Sequence, residues 1–147
     1  MIFESEVADE CIRGLLARFG ASVCGAELVC DGDFCGHVTA SARVRNTEGT
    51  HVLRVWSGKN QRWQLPGAHG EDDLDLEKVA RWEALRALGM RETAALSGGG
   101  VVDIIREEVA EYWNTPAHVH MVVVFEYVTE EGEKLPRGAR WFDTEAG

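Results

Sequence analysis

Apolar residues recur along the chain with two different periods, which predict helices and strands in alternation. Steps of three and four from Val7 to Phe19 predict an amphipathic helix over residues 5–19, and a connector rich in glycine and cysteine follows it. Alternating residues predict a strand over 38–45, and a nearly unbroken apolar run predicts a central strand over 118–129. Because the two kinds of element interleave and strands outnumber helices, the pattern indicates a layered α/β fold.

Turn-forming residues divide the middle of the chain. Asn46-Thr47-Glu48-Gly49 is typical of the turn of a hairpin, whose second arm is predicted over 51–56. Pro66-Gly67 ends a short extended segment at 63–65. The run Gly98-Gly99-Gly100 predicts a further break in regular structure.

A second helix is predicted after an acidic stretch. Five acidic residues between Glu71 and Glu77 lead into this helix, which runs through Ala87. Its predicted apolar stripe consists of Leu74, Val79, Trp82, Leu85 and Leu88. Residues 101–113 are compatible with either a strand or a helix, and 139–142 are predicted as a last short strand.

Length and charge limit the kinds of protein that the chain can be. A chain of 147 residues with 45% hydrophobic residues predicts one domain over 1–147, with a helix and connector in 1–35 and a core in 36–143. The net charge of −10 argues against nucleic acid or an anionic membrane as a partner, since both would be repelled. No apolar run reaches the roughly 20 residues of a membrane span, and the acidic N-terminus lacks a secretory signal, so we expect a cytoplasmic protein. The four cysteines lack metal-site spacing, which favours free thiols.

The segment from Trp63 to Met90 carries a distinctive order of residues. Trp63-Gln64-Leu65-Pro66-Gly67 stands ahead of the second helix, Glu83 lies within that helix, and Gly89-Met90 follows it. This order resembles the Nudix hydrolase family, in which tryptophan-x-leucine-proline-glycine-glycine leads into the box G-x5-E-x7-R-E-U-x-E-E-x-G-U, where U is apolar. Three segments outside the box also match: Gly36 to Ala42, His118-x-His120, and Arg140 to Asp143.

The resemblance implies a fold and an activity. The expected fold is a Nudix-type α/β/α sandwich with a mixed central sheet, to which the helix over 5–19 would be added. The expected activity is the hydrolysis of a small molecule, with a phosphoanhydride as the bond cleaved and a divalent metal as cofactor.

The predicted helix departs from the Nudix box where the metal would bind. Family members place three glutamates on one helical face to hold Mg²⁺. Here Glu83 is retained, whereas Leu74, Arg86 and Ala87 stand at positions that the family fills with glutamate. Glu83 is therefore the predicted catalytic residue and a predicted metal ligand, and Mg²⁺ is disfavoured. The acids of 71–75 either substitute for the lost ligands or form a solvated loop that complements the helix N-terminus.

Histidines offer a different set of metal ligands. His118 and His120 are two apart on a predicted strand, so their side chains are expected on one face. The resemblance places His69 near the family's metals and His37 in its substrate cleft. A centre of His69, His118 and His120, with Glu83 or His37 as a further ligand, would suit Zn²⁺, Fe²⁺ or Ni²⁺. The alternative is that these histidines are ordinary hydrogen-bonded residues or position a substrate.

Aromatic and basic residues near the predicted cleft are candidates for substrate binding. We assign this role to His37, Trp63, Arg43 and Arg86, with Trp63 stacking on a flat group and Arg43 contacting a phosphate. A cleft-wall or core role for Trp63, and alternating exposed positions for Arg43, explain the same pattern.

Three functions remain open on the sequence. The first is a Nudix-fold hydrolase of a small metabolite with non-standard metal use. The second is histidine-metal chemistry unrelated to Nudix hydrolysis, and the third is a non-catalytic ligand-binding module. All three take a small molecule as partner, and the resemblance is compatible with a homodimer.

Overall fold

A computed structural model of the chain describes residues 22–24, 27–30, 33–69, 76–90, 96–111, 113, 116–130 and 135–144, with side chains from residue 37 onward other than that of His69. Within these ranges the chain forms nine strands and one helix. The helix predicted over 5–19 lies outside the described residues.

The elements follow one another as a run of strands, a helix and three further strands. The bounds are β1 (Ser22–Cys24), β2 (Glu27–Cys30), β3 (Asp33–Asn46), β4 (His51–Ser57), β5 (Arg62–Gln64), β6 (Gly67–His69), α1 (Leu76–Leu88), β7 (Ser97–Val109), β8 (His118–Thr129) and β9 (Ala139–Asp143).

The strand β3 organises the sheet because its length allows it to pair with several partners. It lies parallel to β8 over residues 36–46 and 119–129, and antiparallel to β2, β4 and β6. The strand β7 pairs with β8, and β9 pairs with β4, both antiparallel. The sheet is therefore mixed, as the sequence predicts.

Alternate residues of β3 and β8 form a core with α1. The fully or almost fully buried residues of the two strands are Val38, Ala40, Ala42, Val44, Met121, Val123, Phe125 and Tyr127. The helix contributes Leu76, Ala80, Ala84, Leu85, Ala87 and Leu88. Three small alanines on the buried face permit a close approach of the helix backbone to the sheet.

The predicted apolar stripe of the helix is wrong at Trp82. The side chain of Trp82 is 60% exposed, whereas Ala80 and Ala84 are completely buried. Alanine is a weak signal of burial in a sequence and tryptophan a strong one, but a large indole does not fit where the helix lies directly on the sheet.

Two other segments differ from the prediction. The expected connector before residue 38 contains β1, β2 and the start of β3, since pairing with an extended β3 stabilises segments too short to show a strand pattern. The expected break at Gly98-Gly99-Gly100 lies within β7, where the register against β8 shifts. The ambiguous segment that follows continues as strand through Val109.

Alanine at position 98 is expected to destabilise the protein, whereas alanine at position 100 is not. Gly98 has φ of +109°, and a Cβ atom there would lie 2.6 Å from the carbonyl oxygen of Glu126. Backbone strain of this kind costs about 2 kcal/mol. Gly100 has open space around its Cβ position, so Gly100→Ala serves as the matched control. Urea unfolding of both variants measures the difference, and equal stabilities would contradict the strained bulge.

Candidate functional site

A cleft of about 670 Å³ lies on the face of the sheet that is turned away from α1. Because β3 alternates, the residues between its core positions face this cleft. Its floor consists of Thr39, Ser41, Arg43 and Arg45 from β3, together with His120, Val122 and Val124 from β8.

The loop between β5 and β6 forms one wall of the cleft. The backbone N–H of Ala42 donates a hydrogen bond of 2.8 Å to the carbonyl oxygen of Pro66, which fixes the loop against β3. A Cβ atom on Gly67 would lie 2.6 Å from the carbonyl oxygen of Ala40. Only glycine permits so close an approach, which gives a structural reason for the Pro66-Gly67 pair.

Cationic side chains dominate the lining of the cleft. Among the described lining residues, one is acidic, Glu107, and five are cationic: Arg43, Arg45, Arg54, Lys59 and Arg62. Arg45 forms an ion pair of 3.2 Å with Glu126. Arg62 reaches from β5 to β7, where its ion pair with Glu107 is 2.9 Å long. The cleft therefore concentrates positive charge in a chain whose net charge is −10.

Trp63 lines the cleft as part of an aromatic group. Its ring centroid lies 5.7 Å from that of Trp56 and 5.3 Å from that of Phe142. The guanidinium carbon of Arg140 lies 4.9 Å from the ring centroid of Trp63. These contacts fit a cleft-wall role, with the indole held in place by its neighbours and by a cation–π interaction.

Three histidines meet at the end of the cleft where β3 and β8 begin their parallel pairing. His37 and His120 are partners in the register of these strands. The Nε2 atoms of His118 and His120 lie 3.0 Å apart, which confirms that both side chains point to one face. The ring of His37 lies 5.1 Å from that of His118 and 5.6 Å from that of His120, measured between centroids. We call His37, His118 and His120 the histidine cluster.

The other residues predicted for the site lie elsewhere or outside the described side chains. On α1, Arg86 donates a hydrogen bond of 3.2 Å to Glu83, and neither side chain lines the cleft or joins the histidine cluster. The backbone of His69 pairs with Thr39 in the sheet, but its side chain lies outside the description. The structure thus brings together Arg43, Trp63 and His120 at the cleft, and places Glu83 with Arg86 on the helix.

Sequence reasoning missed three charged residues at the cleft: Lys59, Arg62 and Glu107. Lys59 lies in the turn between β4 and β5, and Arg62 is the first residue of β5. Their position just after a predicted strand was the only feature of the sequence that could have placed them at the cleft. Glu107 is the register partner of His120, but its segment carries no clear period, so its orientation could not be predicted.

Comparison with known proteins identifies the fold. No protein-family model matches the sequence, and no curated protein matches it. Solved structures do match, and the three named next each cover 74% of this chain. They include the MutT protein of Methanosarcina mazei (20% identity, TM-score 0.55, 78% of that chain), a NUDIX-family hydrolase of Clostridium perfringens (15%, 0.53, 82%) and the dihydroneopterin triphosphate pyrophosphohydrolase of E. coli (13%, 0.62, 82%).

The chain has the fold of the Nudix hydrolases. The predicted fold class, a Nudix-type α/β/α sandwich with a mixed central sheet, is therefore confirmed. Within the described ranges, no helix combines the length and the apolar character that crossing a membrane requires.

Proposed function

We propose that the protein is a Nudix-fold hydrolase of a phosphorylated small molecule, which binds in the cleft through its phosphate groups. The observation that carries this proposal is the set of five cationic residues lining a cleft of about 670 Å³. That volume lies within the usual range for small-molecule sites. Because the rest of the chain is acidic, the cleft is the described surface to which an anionic ligand is best matched.

The type of cation supports phosphate as the group bound. Four of the five cationic lining residues are arginines, whose guanidinium groups donate paired hydrogen bonds to phosphate oxygens. A neighbour in fold is named for cleaving a triphosphate, which supports a phosphoanhydride as the bond that is hydrolysed. The net charge of the chain favours a small molecule over nucleic acid.

The residues of α1 do not fit the Mg²⁺ site of the standard Nudix box. Glu83 is the one box carboxylate retained on the helix, and its Oε1 atom already accepts a hydrogen bond from Arg86. A single carboxylate is too little charge to neutralise a divalent cation, and the guanidinium beside it repels that cation. We therefore propose a transition metal such as Zn²⁺, Fe²⁺ or Ni²⁺, held by imidazole nitrogen, in place of Mg²⁺.

Glu83→Gln is expected to reduce turnover by about 100-fold, because the amide cannot accept a proton. We propose Glu83 as the catalytic carboxylate for a substrate that extends from the cleft past β6, which α1 contacts. The measurement is phosphate release from a panel of nucleoside and non-nucleoside diphosphates and triphosphates, with each of several divalent metals. Glu108→Gln is the matched control, since Glu108 is likewise paired with an arginine, Arg106, but is 78% exposed and lies on β7, away from α1. Unchanged turnover in Glu83→Gln would remove Glu83 from the mechanism.

A second function is favoured by the ion pair between Glu83 and Arg86. If this carboxylate is permanently occupied, the cleft serves as a ligand-binding module without catalysis. Such a module would bind a diphosphate in the cleft and release no phosphate from any member of the panel. Hydrolysis by the wild-type protein excludes the module, and binding without hydrolysis excludes the enzyme.

A further inference from the structure

The histidine cluster is built by the parallel pairing of two strands. In the register of β3 and β8, His37 lies opposite His120, and His118 lies two residues before His120 on the same face. One ring nitrogen from each of His37, His118 and His120 lies within 4.8 Å of the others. All three side chains are half-buried, so the group is partly shielded from water while remaining accessible from the cleft.

The hydrogen bond of His118 determines which of its nitrogens can bind a metal. The Nδ1 atom of His118 lies 2.9 Å from the carbonyl oxygen of Pro116. A carbonyl oxygen only accepts, so Nδ1 carries the proton and Nε2 of the neutral ring is an acceptor. Here it accepts a hydrogen bond of 3.0 Å from Nε2 of His120, which a bound metal would replace as His120 loses that proton. Histidines that bind metals commonly donate their other ring N–H to a backbone carbonyl in this way, which fixes the tautomer and the ring orientation.

The distances between nitrogens fit a shared metal ion. Zinc–nitrogen bonds of about 2.0–2.1 Å in a tetrahedral site place two ligand nitrogens about 3.3 Å apart. The Nε2 atoms of His118 and His120 are within a few tenths of an ångström of that separation. One ring nitrogen of His37 lies within 4.8 Å of those of His118 and His120, so it must approach them by at most about 1.5 Å to reach the tetrahedral separation.

We infer that His37, His118 and His120 form a centre for one transition-metal dication of the Zn²⁺ type. Three neutral imidazoles supply nitrogen ligands, which Zn²⁺ binds well and Mg²⁺ binds poorly. His120 also lines the cleft, so the remaining coordination position is accessible from the ligand site. Glu107, the register partner of His120, is engaged with Arg62, so the described side chains supply three ligands to the centre.

This centre rests on the proposed function, which already calls for a metal held by imidazole, and it names the residues that hold that metal. The sequence predicts His69, His118 and His120 with Glu83 or His37 as a further ligand, and among the described side chains the structure groups His118 and His120 with His37. Metal binding at the cluster requires no hydrolysis, so it can be measured without a substrate and stands whether or not the protein is an enzyme.

Titration with Co²⁺, a spectroscopic substitute for Zn²⁺, tests the centre. The full chain is purified without a histidine tag, dialysed against a chelator and then titrated while the visible absorption of tetrahedral Co²⁺ is recorded. We expect one ion per chain, displaced by Zn²⁺. His118→Ala and His120→Ala are each expected to weaken binding by about 100-fold, because each removes one of three ligands. Absence of the absorption band in the wild-type protein would overturn the inference.

Two further histidine variants separate the competing ligand sets. His37→Ala is expected to lose the band and His69→Ala to retain it, and the opposite pattern would overturn the proposed centre. His51→Ala is the matched control, since His51 lies on β4 beside Thr50 and Asn46, away from the cluster. Zn²⁺ at 100 times its dissociation constant should raise the unfolding temperature of the wild type by about 9 °C. If the variants without metal unfold at the same temperature as the wild type without metal, the substitutions remove metal ligands and leave the stability of the fold unchanged.

Discussion

Replacement of Phe125 with alanine is expected to lower the free energy of unfolding by about 4 kcal/mol, whereas Trp82→Ala is expected to change it by less than about 0.5 kcal/mol. Phe125 is completely buried in the core between the sheet and α1, and truncation leaves a cavity there. Trp82 is the larger residue, but it lies on the outer face of α1 and its side chain is 60% exposed.

Chemical denaturation of both variants measures the contrast. Val128→Ala is a control on the strand that carries Phe125, because Val128 is 36% exposed. A Trp82 variant that loses as much stability as the Phe125 variant would show that the helix buries the face predicted from the sequence, and would contradict the packing described for α1.

Charge reversal at Arg43 is expected to weaken the binding of a diphosphate by about 1000-fold. Arg43 lies on the cleft floor between Ser41 and Arg45. Arg43→Glu removes paired, charge-assisted hydrogen bonds to phosphate and places a negative charge beside it. Together these effects amount to about 4 kcal/mol in a partly buried site, which corresponds to three powers of ten.

Calorimetric titration with methylenediphosphonate, a diphosphate analogue whose P–C–P bridge cannot be hydrolysed, measures this effect in the presence of a chelator. Arg137→Glu is the matched control, since Arg137 is exposed and outside the cleft lining. An equal loss in both variants would mean that the ligand responds to net charge and does not contact Arg43. Because the assay contains neither metal nor turnover, it tests the cleft separately from the histidine cluster and from catalysis.

The strands that were predicted correctly carry their information locally. Residues 38–45 and 118–129 combine alternation with continuous apolar character, and the hairpin turn depends on Asn46. The Oδ1 atom of Asn46 accepts hydrogen bonds from the backbone N–H groups of Thr50 and His51, at 2.9 and 3.1 Å. Asparagine is frequent in turns because its side chain replaces backbone partners in this manner.

The features that escaped prediction depend on partners far along the chain. The glycines of β7 were predicted to break regular structure, whereas close contact with β8 holds them within a strand. Trp82 was predicted to be buried, because the sequence does not show how closely α1 approaches the sheet. Dimerisation, the cytoplasmic location and the division of the chain at residues 35 and 36 stay predictions.

The candidate site shows the same division between local and distant information. The period of a strand was sufficient to place His118 and His120 on one face. The membership of His37 in the cluster depends on the parallel register of β3 against β8, which no local pattern specifies. The cationic cleft likewise arises from β3, β4, β5 and the turn before β5, whose arginines and lysine give no signal of a shared site when each segment is considered alone.

The parallel pairing of β3 with β8 also affects how the protein reaches its native state. Parallel neighbours cannot be joined by a tight turn, so the whole segment between these strands must loop back before they meet. Closing such a loop costs chain entropy before any contact compensates for it, and folds rich in distant pairings form slowly. We therefore expect the three imidazoles to come together late in folding, and a chain still emerging from the ribosome, with β8 not yet synthesised, lacks two of the three ligands of the cluster.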